Sequence, residues 1–433
     1  MEQTSAPLRR LPLRLAAAFG GTLLVLFCLL LGAYALPGGP VRAHLAESAA
    51  LLEQEGLYPQ RLGSKLTQGD NYTDTLMLFA AATADELPPL QAMMTNTVYN
   101  VDNFTTLPQD LQCYLAGDTA ALRPFAYARY WHGYLIWLRP LLLFLTLDGV
   151  RAVQYAVWVV LLVTVIRYLW TVCGARSTVW FGLSQLVCTV FLAPMNLQFF
   201  TCFMLAYAGC LWVLCAPRRS DQLALCMMVL GVCTSFCDLL VTPIVVVGLP
   251  LAVWLLRPEQ RLRGGVAQCG AVAAQAMVWG FGYAACWAMK WVLATFITGQ
   301  NVMQDALHQA QVRTVANTWH GMELTWGNIT RFVYNVLAQR GLFWPLVLLA
   351  VLAVAVFVLC LRSRAALVRA LPLGLVALFA PAWFVVLRTH SIQHGWFTWR
   401  GACVTLFAGM AFVYYACSLR TGLRRLKGKL CKH

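Results

Sequence analysis

Charge is what this chain has least of. Of its 433 residues 11% are charged and 60% hydrophobic, whereas soluble domains carry about a quarter charged residues. That shortage excludes an ordinary soluble enzyme and a disordered chain. Acids are scarcer than bases, 17 against 32, which leaves a net charge of +15. No CxxC, CxxH or HExxH spacing occurs, so no structural zinc site is expected. There is no Walker A loop and no GxGxxG, so nothing points to ATP or a dinucleotide. Of 16 cysteines only Cys113 lies clearly outside or away from the apolar runs and the tail, which argues against a disulfide framework. No internal repeat of the transporter kind is present.

What is present is long apolar runs. A helix needs about 20 apolar residues to cross the hydrocarbon core. Ten segments qualify: 14–36, 149–171, 177–195, 197–216, 222–237, 239–256, 266–289, 341–361, 366–387 and 401–418. The sequence therefore reads as an all-α polytopic membrane protein, a single integral membrane domain over 1–433. Basic residues cluster at alternate turns: Arg9, Arg10 and Arg14; Arg167 and Arg176; Arg218 and Arg219; Arg257, Arg261 and Arg263; Arg362, Arg364 and Arg369; and a basic tail over 419–433 with Arg420, Arg424, Arg425, Lys427, Lys429 and Lys432. These account for 19 of the 32 basic residues. The positive-inside rule puts them in the cytoplasm, with both termini, and explains the net charge without nucleic acid. The first span reads as a retained anchor rather than a signal peptide, because its apolar run is too long for one.

Residues 222–256 carry one charge, Asp238, in 35 residues. A single helix of that length would run about 52 Å against a core of about 30 Å. With basic clusters at both ends, the segment must fold back as a hairpin, with Asp238 and Pro243 at its outer tip.

The outer side is unequal: residues 37–148 form one large loop, 290–340 a second and 388–400 a short third. Eleven of the 17 acids lie in the first. Within it, Gly69-Asp70-Asn71-Tyr72-Thr73-Asp74 places two carboxylates four residues apart, on one side of a following helix. Either Asp70 or Asp74 suits a general base, and the same run equally suits a turn with Thr73 or Asp74 as helix cap. Tyr127, Tyr130, Tyr134 and Trp137 recur at helical spacing, with Arg129, His132 and Arg139 on a second stripe. That pattern predicts one helix with an aromatic and a cationic face, either an interfacial belt or a grip on a lipid phosphate. The run 388–400 holds Arg388, His390, His394 and Arg400 without an acid, a set suited to a phosphate or pyrophosphate. Asp238 at membrane depth must face a partner or a cavity. Lys290, between Trp287 and Trp291, is expected to snorkel at the interface, and 290–340 to hold an amphipathic helix over the site.

Taken together, an inner N-terminus, a large acidic loop directly after span one and about ten spans resemble the GT-C glycosyltransferases, integral membrane enzymes that use polyprenyl-phosphate-linked sugars. The runs Asp70-Asn71-Tyr72-Thr73-Asp74, Tyr130-Trp131-His132-Gly133-Tyr134, Ser235-Phe236-Cys237-Asp238 and His390-Ser391 with His394 and Phe397-Thr398-Trp399-Arg400 are similar to a group of bacterial membrane proteins of this type, associated mainly with clostridia. The resemblance implies an enzyme of the bacterial cytoplasmic membrane with its site facing outside. A first-loop aspartate, Asp70 or Asp74, would act as base, and Arg129, His132, Arg388, His390, His394 and Arg400 would hold the donor phosphate. Trp131 and Tyr134 would stack on the sugar, with Asp238 nearby. The acceptor would be a glycan, lipid or protein. The loop has no Asp-x-Asp, Asp-Asp or Glu-Asp pair, a departure from the metal-dependent members. No metal ligands are assigned, although the family's chemistry admits Mg2+ or Mn2+. Three other classes compete. A polysaccharide polymerase or ligase would place its large outer loop late in the chain, whereas here it follows span one. A lipid-linked saccharide flippase would bury polar groups near the midplane, where these spans are almost charge-free. A non-catalytic envelope assembly protein would not need the His/Arg cluster.

Overall fold

The computed structural model describes residues 10–101, 104–216, 219–261, 264–315, 318–319, 322–339, 341 and 343–430. Arg9, Arg218, Arg263 and Lys432 of the basic clusters, and His320 of the second loop, lie outside the described residues.

The chain is an all-α polytopic membrane protein. Among the described residues eight helices are long and apolar enough to cross a membrane: Leu11–Tyr34, Leu147–Cys173, Leu197–Cys215, Ser220–Cys237, Val266–Thr298, Phe343–Cys360, Arg364–Val386 and Gly395–Ala416. The other two expected crossings are shorter. The run 177–195 is split at Thr189, whose φ is 51°, into a helix Ala175–Val187 and a 3-10 turn Val190–Met195. The run 239–256 yields the helix Ile244–Leu256 of 13 residues, every one of them buried. At about 1.5 Å per residue it is about 20 Å long. It can be short and uniformly apolar because other helices surround it, not lipid.

The hairpin over 222–256 forms as expected, with its turn at 238–243. Asp238 builds that turn: its two carboxylate oxygens accept from the Val241 amide at 3.3 and 3.2 Å, and the Cys202 thiol donates to it at 3.1 Å. No arginine pairs with it among the described residues. The ascending arm, Ser220–Cys237, packs along Val266–Thr298 at a separation only glycine permits. A Cβ on Gly231 would lie 2.2 Å from the Trp279 carbonyl oxygen.

Residues 38–126 of the first loop fold over the membrane helices and share apolar core with Val232, Phe236, Cys286 and Ala294 of those helices. The loop's helices Gly38–Glu55, Asn71–Ala82, Pro89–Thr95 and Leu107–Ala116, with a two-stranded antiparallel ribbon of Thr97–Asn100 and Arg123–Ala126, share one apolar core with the end of Leu11–Tyr34. Under it lies the ion-pair cluster of Glu55, which accepts from Arg61 at 2.8 and 2.7 Å, from Arg151 at 3.0 Å twice and from Asn71 at 2.9 Å. An arginine near the start of a membrane helix needs such a counter-charge.

Two local expectations are corrected. Residues 127–134 are not helical; the helix is only Leu135–Leu142. Gly133 explains why: its amide donates to the Phe236 carbonyl at 2.9 Å, and a Cβ there would meet that oxygen at 2.5 Å. The segment is therefore spread as a docking strip against the hairpin. Lys290 does not snorkel. It is fully buried, donating to the Met93 and Met94 carbonyls at 2.8 and 3.3 Å, with its ammonium 5.6 Å from the Trp131 ring centroid. Here it ties the long helix Val266–Thr298 to the first-loop body.

Candidate functional site

A cleft of about 440 Å³ opens where the first-loop body meets the helix ends. Four expected site residues from three distant segments line it: Asp70, Arg129, His390 and His394. Arg313, Tyr58, Tyr72, Gln198 and Trp396 complete its polar and aromatic wall.

Asp70 is placed by helix geometry. It is the N-cap of Asn71–Ala82: one oxygen accepts from the Thr73 amide at 3.1 Å, and the other accepts from the Thr73 hydroxyl at 2.9 Å and from the Gln198 side-chain amide. Thus neither Thr73 nor Asp74 is the cap. Burial pushes the Asp70 carboxyl up to about 6, against the pull of Thr73 and Gln198. A carboxyl near 6 is ionised at neutral pH yet basic enough to take a proton.

Asp74 lies one turn further and is fully buried outside the cleft lining. Its oxygens accept from the Leu197 amide and the Asn196 side-chain amide, both at 3.0 Å. It therefore caps the neighbouring helix Leu197–Cys215 across the fold. Burial pushes it up to about 7, with Arg151 pulling down.

His390 and His394 stand 4.7 Å apart between ring centroids. His390 Nε2 lies 3.0 Å from the Leu240 carbonyl, at the hairpin tip. A carbonyl only accepts, so Nε2 carries the proton. Burial, reinforced by His394 and Arg313, pushes His390 down to about 3; burial and Arg313 push His394 down to about 4. Both rings are neutral, and His390 Nδ1 is a buried acceptor with no hydrogen-bond partner among the described residues. The positive charge of the cleft comes instead from Arg129 and Arg313. Arg129 lies 4.6 Å over Tyr127 and pairs with Asp305 at 3.2 Å. Arg313, on the helix Val302–Val315, was no part of the expected set. That helix borders the cleft through Arg313, and no sequence motif marks the residue.

The other expected residues are placed elsewhere. His132 is buried, bonded to the Tyr134 hydroxyl at 2.7 Å and the Tyr127 carbonyl at 2.9 Å, and burial pushes it down to about 3. Trp131 stacks on Phe236 at 4.7 Å and donates to the Cys286 carbonyl at 2.9 Å. Trp131 and Tyr134 are fully buried and present no face to a ligand. Arg388 lies 5.9 Å over Trp326 in a separate pocket. Arg400 is buried 4.9 Å over Phe199, with one nitrogen 3.4 Å from the Leu66 and Gln68 carbonyls. Asp238 is absorbed in its turn. The aromatic surface facing the cleft includes Tyr58 and Trp396, edge to face at 5.4 Å, with Tyr72 stacked on Tyr58 at 6.3 Å.

Among the described residues no group of three His, Cys, Asp or Glu side chains converges to hold a metal. In the cleft Asp70 is the one carboxylate, flanked by two arginines, a poor donor set for a hard cation.

A second cavity shares both arginines. It is a slot of about 100 Å³ lined by Arg129, Arg313 and the apolar faces of Trp287, Trp291, Trp383, Leu240 and Leu387. Comparison of the chain with protein-family models, curated proteins and solved structures finds no match.

Proposed function

We propose that the chain is a membrane glycosyltransferase of the GT-C type, which transfers a sugar from a polyprenyl-phosphate-linked donor to a cell-envelope acceptor on the outer face of a bacterial cytoplasmic membrane. One observation carries the reading. Arg129 and Arg313 line both the polar cleft that holds Asp70 and an apolar slot walled by tryptophans. A polyprenyl phosphate sugar needs those surroundings together: apolar walls for the first isoprenes, guanidinium groups for the phosphate and a polar, aromatic cleft for the sugar.

In this reading the phosphate sits between Arg129 and Arg313 and displaces Asp305 from Arg129. The sugar lies against Tyr58 and Trp396, and one hydroxyl donates to the free His390 Nδ1. Asp70 takes the proton of the acceptor hydroxyl as its oxygen bonds to the anomeric carbon. The bond from that carbon to the phosphate oxygen breaks, and the polyprenyl phosphate leaves with the electron pair. The two arginines stabilise the charge that grows there. Direct attack inverts the anomeric configuration. No step is routed through a metal. The acceptor is a glycan, lipid or protein bearing a free hydroxyl.

The test is turnover of polyprenyl-phosphate sugars by purified protein in nanodiscs. Sugar release that is lost in Asp70→Asn, with donor binding weakened in Arg129→Ala, supports the reading. Tight lipid-phosphate binding with no turnover on any donor, unchanged in Asp70→Asn, would point to a carrier or scaffold instead.

A further inference from the structure

The opposite end of the helices holds a second constellation that the proposed chemistry does not use. An apolar groove of about 810 Å³ runs between the membrane helices Phe343–Cys360 and Ala402–Ala416, walled by Val354, Phe357 and Val413 among others. Its rim carries Arg362 and Arg420. Arg362 also lines an adjoining pocket of about 360 Å³ with Gln268, Arg369 and Tyr415. Arg362 is rigidly aimed: its Nε donates to the Cys417 carbonyl at 2.6 Å and its Nη2 to the Tyr414 carbonyl at 3.3 Å. A third guanidinium, Arg176, donates to the Tyr414 hydroxyl at 2.7 Å.

Among the described residues none of Arg176, Arg362, Arg369 and Arg420 forms an ion pair. The acids of this end are engaged elsewhere, Asp221 with Arg14 and Arg219, Glu259 with Arg257. The tail helix Leu419–Leu430 starts at the rim, contains no acid and leaves Leu419 and Leu423 exposed, the pattern of a helix lying in a membrane surface.

We infer that this end binds an anionic phospholipid, with its acyl chains in the groove between the two helices, its phosphate on Arg362 and Arg420, and its headgroup in the adjoining pocket toward Arg369. Apolar walls within membrane-crossing helices select a lipid over a soluble anion. The unpaired arginines select an anionic headgroup over a zwitterionic one, since each basic side chain near an anionic surface contributes about fivefold in partition. The site is independent of the cleft at the other end.

The experiment is native mass spectrometry of the full chain released from nanodiscs of equal phosphatidylglycerol and phosphatidylcholine, with turnover measured in parallel. The expected result is retained phosphatidylglycerol in at least tenfold excess over phosphatidylcholine, which two arginines supply. The excess should fall at least about fivefold in Arg420→Glu, an exposed position with no hydrogen bond or ion pair among the described residues, since the change removes one positive charge and adds a negative one, and further with Arg362→Gln added. Val354→Trp, which fills the groove from an exposed position, should strip the lipid of either headgroup. Equal retention of the two lipids by the wild type, an excess unchanged in Arg420→Glu, or full retention in Val354→Trp would each overturn the proposal. So would soluble glycerophosphate displacing the lipid at equal concentration, which would mark a simple phosphate site.

Discussion

Asp70 and Asp74 lie one helical turn apart, and the structure separates what each does strongly enough to test. Asp74→Ala removes the acceptor of two buried donors, the Leu197 amide and the Asn196 side-chain amide, both at 3.0 Å. A buried donor left without a partner costs about 1–3 kcal/mol, so the change should cost about 2–6 kcal/mol. Asp70→Asn is different in kind. An asparagine at the N-cap retains an oxygen for the Thr73 amide, and the two residues are near-equal caps, so the loss should stay below about 1 kcal/mol. The base, however, is gone, and general-base catalysis is worth about 10²–10⁴-fold. The assay pairs thermal unfolding in detergent, read by tryptophan fluorescence, with turnover on a polyprenyl-phosphate sugar. The expected pattern is Asp70→Asn folded and inactive, with Asp74→Ala melting well below the wild type. An Asp74→Ala protein that melts like the wild type yet is inactive, beside an active Asp70→Asn, would refute the reasoning and move the base to Asp74.

Two further outcomes concern stability. Glu55→Gln leaves Arg151 with only the exposed Asp148, 3.6 Å away, as counter-charge; the loss should fall at or below the about 3–5 kcal/mol of a broken buried pair, and unfolding of the variant against the wild type measures it. Although burial opposes it, the hydrogen bonds of Arg61 and Arg151 hold the Glu55 carboxyl down to about 2 from an ordinary 4.5. Its contribution is therefore complete above about pH 4.5 and should fade as the pH drops toward 2, a loss the Glu55→Gln protein should not show. Gly231→Leu places a side chain where even a Cβ would lie 2.2 Å from the Trp279 carbonyl. Overpacking of this kind costs about 1–3 kcal/mol, and unchanged melting would show that the two helices are free to separate.

Composition and charge placement made the membrane class and the hairpin at Asp238 legible, because the lipid imposes length and polarity rules that a single sequence obeys. The failures are local, and those in the aromatic motif share one cause. Arg129, His132 and Arg139 share a helical spacing, yet only Arg129 reaches the cleft. Gly133 must approach the Phe236 backbone, and that tertiary contact overrides the periodicity. The same docking consumes Trp131, His132 and Tyr134. A dense polar and aromatic motif can thus be a joint as readily as a site. Arg313 and Tyr58 carry no motif at all. They are brought to Asp70 by folding, and nothing short of the tertiary arrangement singles them out.

The cleft's electrostatics lead to a last prediction, which follows from where the donor phosphate would lie. In the free protein Asp70 ionises near 6, and the histidines beside it are neutral. A bound phosphate adds negative charge to the same cleft. Arg129 and Arg313 offset much of it, but Arg129 must exchange Asp305 for the phosphate, so part of its charge is already spoken for. The remaining field raises the Asp70 carboxyl further, because a like charge disfavours ionisation. A base is active when ionised, so activity should rise with pH through the Asp70 value. The profile of kcat/KM reports the free enzyme and should show its acidic limb near 6; the profile of kcat reports the complex and should show the limb at higher pH. Turnover measured from pH 4.5 to 9 at low and at saturating donor separates the two. A kcat limb at or below that of kcat/KM would mean that the phosphate lies too far from Asp70 to be felt, and the donor would have to be placed elsewhere in the cleft.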